Sequence, residues 1–364
     1  MIYCTLGNTG LTASRLGFGT MRLPIGSLNP DFEEAVCLIQ YAINKGINFF
    51  DVGTFYCHGH CENVYGIATS NMSSEKLLVC GKNITHLSNN LNWLAQLKNS
   101  LLLFKRKSFD LYFLHYLNFE NWQSYFFEKK VIDQIKQAKD SGLIRHLGFS
   151  SHDTPANVSK LIDTKMFEAV ILSYNLLRRE YEETLKYAHQ QGLGVIIMNP
   201  LAGGALAEMN IIDHESRKDK NLAKVAQLAL NYVLSQPFAH IVLSGMESKD
   251  IVDENIRTIH RNRLNSQEID SLTESISREI AKVFVPCTSC NYCMPCVQGI
   301  DIPGIIKIWN HYSILRGKKM FAREYAMLPI SSECCIQCKA CVEKCPNQID
   351  VPDIMLKASQ LFYC

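Results

Sequence analysis

The chain repeats one unit: a short apolar run of strand length, then a longer stretch whose apolar residues recur at helical spacing. The first run is Arg15-Leu16-Gly17-Phe18-Gly19-Thr20. The second, Ile47-Asn48-Phe49-Phe50, stops at the carboxylate of Asp51. Further runs occupy residues 77–82, 111–115, 144–150, 169–173, 194–198 and 241–243. Residues 31–45 carry the helical pattern, with Asp31 placed to cap it and Gly46 to end it. Ahead of the first run, Gly7-Asn8-Thr9-Gly10 lies between two short strand-like pieces and predicts a hairpin. Eight alternating units predict an α/β fold: an all-parallel sheet with helices outside, closed into a (β/α)8 barrel. A doubly wound sheet is the structural rival, but no Gly-x-Gly-x-x-Gly turn follows the first strand. Beyond the eighth unit, helices are predicted at residues 266–279 and 305–327.

Composition adds a second domain. A chain of 364 residues holds one large core and a small second one, or two to three ordinary domains. With 37 basic against 35 acidic residues and no basic run, nucleic acid is excluded as the expected partner. No apolar stretch reaches a membrane span, and the opening MIYCTLGNTG has neither the charged nor the apolar region of a secretory signal. A soluble, cytoplasmic protein is therefore expected. Fifteen cysteines are present, and ten of them lie between Cys287 and Cys364. In a cytosolic chain such crowding points to metal rather than disulfides, and it sets a boundary near residue 280. The expected domains are 1–280 and 281–364.

The cysteines fall into two runs. Cys287-x2-Cys290-x2-Cys293-x2-Cys296 precedes Val297-Gln298-Gly299-Ile300-Asp301-Ile302-Pro303. Cys335-x2-Cys338-x2-Cys341-x3-Cys345 precedes Pro346-Asn347-Gln348-Ile349-Asp350-Val351-Pro352. From the fourth cysteine onward both read Cys-x3-Ile-Asp-Ile/Val-Pro-x-Ile, which predicts a pseudo-symmetric pair of sites. The second run matches the bacterial ferredoxin spacing for 4Fe-4S clusters. Two structural zinc sites are the alternative, although zinc ribbons use two separated Cys-x2-Cys pairs. The first run departs by its x2 before Cys296 and by Val297 in place of proline.

Polar residues end four of the barrel strands. Asp51, Lys82, His115 and Ser150 stand 31, 33 and 35 residues apart, about one βαβ unit each. In a barrel those ends share the face on which active sites are built. Each alone has a bland account: Asp51 as a cap, Lys82 snorkelling, His115 a satisfied rim histidine. Four at one structural position argue for function.

On these residues the chain resembles the aldo/keto reductase superfamily, from the opening Leu6-Gly7-Asn8-Thr9-Gly10-Leu11 to about residue 260. Asp51-x4-Tyr56, Gly81-Lys82 and Asp110-Leu111-Tyr112-x2-His115 match the motifs of its catalytic tetrad. The resemblance implies Tyr56 as proton donor, Lys82 easing its ionisation, Asp51 holding Lys82, and His115 orienting a carbonyl oxygen that receives hydride from a nicotinamide. It further implies cofactor contacts at Gly19, Thr20, Asp51, Ser150, Ser151, His152, Tyr174, Asn175, Pro200, Leu201, Ala202, Gly203 and Gly204. For the adenosine end it implies Ser244, Gly245, Ser248, Lys249, Glu254 and Asn255. Ser173 stands where many members carry glutamine, and Ile251 where NADPH-preferring members often carry arginine. Lys249 could pair with a 2′-phosphate, and the choice between NADP and NAD stays open.

Taken whole, the chain resembles the ferredoxin-bearing aldo/keto reductases, which implies a mainly helical module with two 4Fe-4S clusters. Cys287, Cys290 and Cys293 would share one cluster with Cys345, and Cys335, Cys338 and Cys341 the other with Cys296. Nicotinamide moves two electrons as hydride and a cluster moves one, so either an unseen flavin or redox partner protein connects them or the clusters are structural. The expected substrate is a small carbonyl compound or alcohol. An electron-transfer protein whose barrel is a nicotinamide-binding or docking platform is the second reading.

Overall fold

The computed structural model describes residues 1–25, 32–72, 77–88, 92–176, 178–202, 206, 225–261, 263–265, 267–270, 274, 285, 287, 293–315, 318–345 and 348–362. They fall into two units, Met1–Ala202 with Gln227–Asn265, and Gly203–Ala226 with Ser266–Cys364.

The first unit opens with an antiparallel hairpin of β1 (Tyr3–Thr5) and β2 (Thr12–Ser14). Eight parallel strands follow: β3 (Leu16–Gly19), β4 (Phe50–Asp51), β5 (Cys80–Asn83), β6 (Phe109–Leu114), β7 (Ile144–Ser150), β8 (Ala169–Ser173), β9 (Gly194–Met198) and β10 (Ile241–Gly245). Their order is β4-β3-β10-β9-β8-β7-β6-β5, and a parallel bridge between Phe49 and Leu78 joins the two ends. The sheet is thus a closed barrel. Each strand is followed by one main helix: α1 (Glu33–Asn44), α2 (Cys61–Thr69), α3 (Trp93–Phe104), α4 (Ile132–Asp140), α5 (Pro155–Asp163), α6 (Glu182–Gln190), α7 (Val225–Leu234) and α8 (Lys249–Ile259).

Strand residues alternate between two apolar environments, which is why the strands read as unbroken apolar runs. Phe49, Leu78, Cys80, Leu111, Phe113, Ala169, Ile171, Ile196, Ile241 and Leu243 form one cluster inside the barrel. Leu6, Leu11 and Ala13 of the hairpin belong to the same cluster, and Asn8 N donates to the Gly192 carbonyl at 2.8 Å, just before β9. The hairpin therefore plugs the N-terminal end and leaves the C-terminal end for a site. The hairpin and the eight units agree with the sequence pattern. Asp31, the expected cap of α1, lies outside the described residues.

The second unit is helical and has no strand among its described residues. Its core gathers Ile300, Ile302, Ile305, Ile306, Phe321, Tyr325, Ile349, Val351, Met355 and Phe362. Where one helix was expected over 305–327 there are two, α9 (Ile302–Leu315) and α10 (Lys318–Ala326), before α11 (Val351–Phe362). The sequence repeat is a structural one. Gly299 N donates to the Cys296 carbonyl at 2.9 Å and Gln348 N to the Cys345 carbonyl at 3.0 Å. Asp301 then accepts from Gly304 N at 3.0 Å and Asp350 from Asp353 N at 3.4 Å, so each aspartate caps the helix that follows. The helix expected at 266–279 lies mostly outside the described residues.

Candidate active site

Asp51 is the last residue of β4, Lys82 belongs to β5, and His115 follows β6 directly, its N–H donating to the Asn83 carbonyl at 2.9 Å. All three are buried at the open end of the barrel. Tyr56 arrives from the turn after β4. Its ring lies against Gly53, where an added Cβ would stand 3.0 Å from three ring carbons.

The four side chains meet. Lys82 Nζ is 2.8 Å from Asp51 Oδ1 and donates to Tyr56 Oη at 2.7 Å, and Tyr56 Oη is 3.3 Å from Asp51 Oδ2. The Tyr56 and His115 rings meet edge to face, with centroids 5.8 Å apart and planes at 88°. Burial alone would discharge Lys82, but Asp51 and the phenol outweigh it and hold its pKa above the ordinary range. Burial and the Asp51 carboxylate push the Tyr56 pKa up to about 12, against the lowering effect of Lys82. Lys82 thus acts in the expected direction without winning. The phenol keeps its proton at neutral pH. Burial, with Lys82 and two other histidines nearby, drives the His115 pKa down to about 2, so its imidazole is neutral.

Other rim positions divide by what their polar atoms already do. The Thr20 hydroxyl donates to the Asp51 carbonyl at 2.7 Å. Ser150 accepts from Tyr116 N at 3.1 Å and Ser151 donates to the Leu117 carbonyl at 2.6 Å, so both hold the loop that carries His115. Tyr174 is fully buried. Its hydroxyl meets Tyr232 at 2.7 Å and Glu182 at 3.1 Å, and its ring stacks on Tyr232. The cause is the two-residue period of a strand: Ser173 shares the inner face of β8 with Ala169 and Ile171, and Tyr174 takes the other. Asn175 Nδ2 donates to the Asn199 carbonyl at 2.8 Å, just before Pro200 and Leu201. Gly203 and Gly204 lie outside the described residues.

At the adenosine end, Asn255 Nδ2 donates to Ser244 Oγ at 3.0 Å, Ser248 caps α8, and Gln227 donates to Glu254 at 2.7 Å. Gly245 is exposed, and a Cβ added there would stand 3.4 Å from Arg22 Cδ. Lys249 opens α8 with its ammonium 5.5 Å over the Tyr41 ring. A helix N-terminus beside a lysine and an arginine favours an anion.

Which polar atoms stay unpartnered, and several further residues, escaped the sequence reading. The buried Ser173 Oγ and His115 Nδ1 have no partner among the described residues, so both stay available to a ligand. Thr54 supports the floor from beneath, donating to the Lys82 carbonyl at 3.2 Å while Gln96 donates to Thr54 at 3.3 Å. Met21, Phe55, Leu87 and Tyr116, on the loops after β3, β4, β5 and β6, are large apolar side chains left exposed around the opening. Tyr116 stacks between His115 and His152, at 4.5 and 4.8 Å. Loop positions carry no period, so pattern alone gave no signal for these.

In the second unit, Cys293 and Cys296 line one recess together with Cys335, Cys338 and Cys341. Among the described residues no three metal-ligating side chains converge closely enough to hold an ion, and Cys290 lies outside them.

Residues 15–277 match the model of the aldo/keto reductase family. The chain is 26% identical over 308 residues to the uncharacterized oxidoreductase YqkF of Bacillus subtilis, covering 76% of this chain and 97% of that protein. It is 26% identical over 300 residues to L-galactose dehydrogenase of Arabidopsis thaliana, covering 74% and 91%. The holo form of aldo-keto reductase AKR11C1 from Bacillus halodurans superposes with a TM-score of 0.64 at 22% identity, covering 76% and 96%. A closed eight-stranded barrel, a family match over most of its length and relatives named as oxidoreductases lead to one conclusion: the chain belongs to the aldo/keto reductase family and is an NAD(P)-dependent oxidoreductase.

Proposed function

We propose that the barrel reduces the carbonyl group of a small, largely apolar substrate, or oxidises the corresponding alcohol, with Tyr56 as proton donor. The single observation that carries this reading is the buried Lys82 ammonium, in contact at once with Tyr56 Oη at 2.7 Å and Asp51 Oδ1 at 2.8 Å. A phenol held at about 12 retains its proton until a stronger base forms beside it, and an alkoxide-like oxygen is such a base. Lys82 then stabilises the phenolate left behind, and Asp51 keeps Lys82 charged. The neutral His115 offers a hydrogen bond rather than a proton, which orients the substrate oxygen. The nicotinamide, when bound, supplies or accepts the hydride. The residues fit such a cofactor: Ser173 Oγ is buried without a partner at the floor, and the α8 N-terminus with Lys249 suits a phosphate. The exposed Met21, Phe55, Leu87 and Tyr116 favour an apolar substrate over a charged one.

The C-terminal unit, in the same proposal, is a ferredoxin-like module with two 4Fe-4S clusters. Its support is the donor set and its arrangement. Cys293 and Cys296 of the first repeat line one recess with Cys335, Cys338 and Cys341 of the second, so cysteines of both repeats are gathered at one place, as ligands shared between repeats require. Gln337 and Lys339 have left-handed backbone (φ 55° and 61°), a turn chemistry that aims backbone N–H groups into an anionic site.

Anaerobic turnover of simple aldehydes with NADPH and with NADH tests the barrel reading. Tyr56→Phe should lower it by about 10²–10⁴-fold while cofactor binding stays near wild type. Retained turnover in that variant would reject Tyr56 as the donor. No turnover in wild type, with clusters present, would favour the electron-transfer reading.

A further inference from the structure

Beside Tyr56 stands a pair of thiols that the reduction chemistry does not use. Cys57 follows Tyr56 directly, and Cys61 is the first residue of α2. Cys57 Sγ lies 3.3 Å from the Thr20 carbonyl oxygen. Cys61 Sγ lies 3.5 Å from the same oxygen and 3.0 Å from Thr20 Oγ1. Two sulfurs therefore meet at one residue, itself bonded through its hydroxyl to the Asp51 carbonyl. Cys57 is half-buried and open to reagents, whereas Cys61 is buried behind it.

We propose that Cys57 and Cys61 form a reversible dithiol–disulfide site, reactive toward low-molecular-weight disulfides, whose state sets the position of Tyr56. The chemistry divides by exposure. The Cys57 thiolate attacks one sulfur of the small disulfide, forming a mixed disulfide and expelling the other half as a thiolate, which takes up the Cys57 proton. Cys61 then attacks the Cys57 sulfur, the protein disulfide forms, and the second half leaves with the Cys61 proton. Two protein thiols are oxidised and one small disulfide is reduced to two thiols. The geometry suits these roles: the hydrogen bond from Cys61 holds the Cys57 pKa down to about 7, and the same bond, with burial, keeps Cys61 protonated.

The backbone makes the pair a lever. Cys57 and His58 both sit in left-handed conformations, φ 49° and 57°, in the turn that delivers Tyr56. Such residues persist only where the surroundings hold them. A disulfide replaces the thiol hydrogen bonds to Thr20. In this proposal the change is passed to Tyr56, one residue away, and disturbs its 2.7 Å contact with Lys82.

The test uses the full chain, anaerobically, with oxidised glutathione as the probe and tryptic mass spectrometry as the readout. The peptide spanning residues 46–76 contains only these two cysteines. The expected result is a peptide lighter by two hydrogens, a loss of aldehyde turnover of roughly a hundredfold, as for misplacement of a catalytic group by about 1 Å, and recovery of both with dithiothreitol. Cys57→Ser should keep its turnover under the same treatment. Two free thiols in the treated wild-type peptide, a mixed disulfide at Cys57 that never closes, or equal inactivation of Cys57→Ser would each overturn the proposal. The effect on turnover rests on the carbonyl-reductase reading, whereas the peptide does not: a protein without aldehyde activity still shows whether the pair closes.

Discussion

Acidification should destabilise this barrel, and two buried histidines contribute a share whose size follows from their burial. In an unfolded chain a histidine titrates near 6.5. Burial lowers His115 to about 2 and His86 to about 4, the latter despite the nearby His115 and Tyr116 carbonyls, which favour its charged form. Their folded pKa values are depressed. Below pH 6.5 the unfolded state therefore binds protons that the folded state refuses, and stability falls as pH falls. The window runs from 6.5 down to about 4 for His86 and about 2 for His115. At pH 5.5 each group costs about 1.4 kcal/mol relative to neutral pH, so the two together remove about 3 kcal/mol. The assay is guanidinium unfolding followed by tryptophan fluorescence between pH 7.5 and 5.5, for wild type, His86→Gln and His115→Gln. Each variant should lose about 1.4 kcal/mol of the pH-dependent change, whatever its stability at neutral pH, and the remainder includes His240, whose pKa burial also lowers to about 4. Identical pH dependence in all three proteins would refute the reasoning.

Three further perturbations address other parts of the molecule. Lys249→Ala should weaken NADPH binding more than NADH binding, by about 1–3 kcal/mol, if this lysine reads the 2′-phosphate; fluorescence titration that finds equal losses removes that role. An added Cβ at Gly148 would overlap the Phe113 ring across the β6–β7 pair, so Gly148→Ala should destabilise the barrel by about 1–3 kcal/mol. Phe113→Leu should recover part of that loss in the double variant, and additive losses in denaturant melts would show that the ring is not the obstacle. If the C-terminal unit holds the two clusters proposed for it, Cys345→Ala should damage that of the first repeat, with Cys296→Ala as the reciprocal case; iron and sulfide analysis with EPR checks it, and damage confined to the mutated repeat rejects cross-ligation.

By itself the sequence determined the repeating part of this protein. Strands buried on both faces must be apolar throughout, so residues 144–150, 169–173 and 194–198 announce themselves, and residues that end such strands share a rim by topology alone. Asp51, Lys82 and His115 were legible as rim residues for that reason, and Tyr56 through the motif of the family that the chain resembles. Boundaries were less so: β4 is only Phe50–Asp51, because Phe49 pairs with Leu78 by a single bridge. The tertiary structure alone decided which polar atoms remained available. Ser150 and Ser151 hold the loop after β6, Tyr174 faces Tyr232, and Ser173 is left without a partner. It also brought Thr20 to Cys57 and Cys61, 37 and 41 residues further along the chain. Periodicity reports which face a side chain takes, because burial repeats with the backbone. Hydrogen-bond partners across the rim come from distant loops, whose meeting depends on closure of the whole barrel.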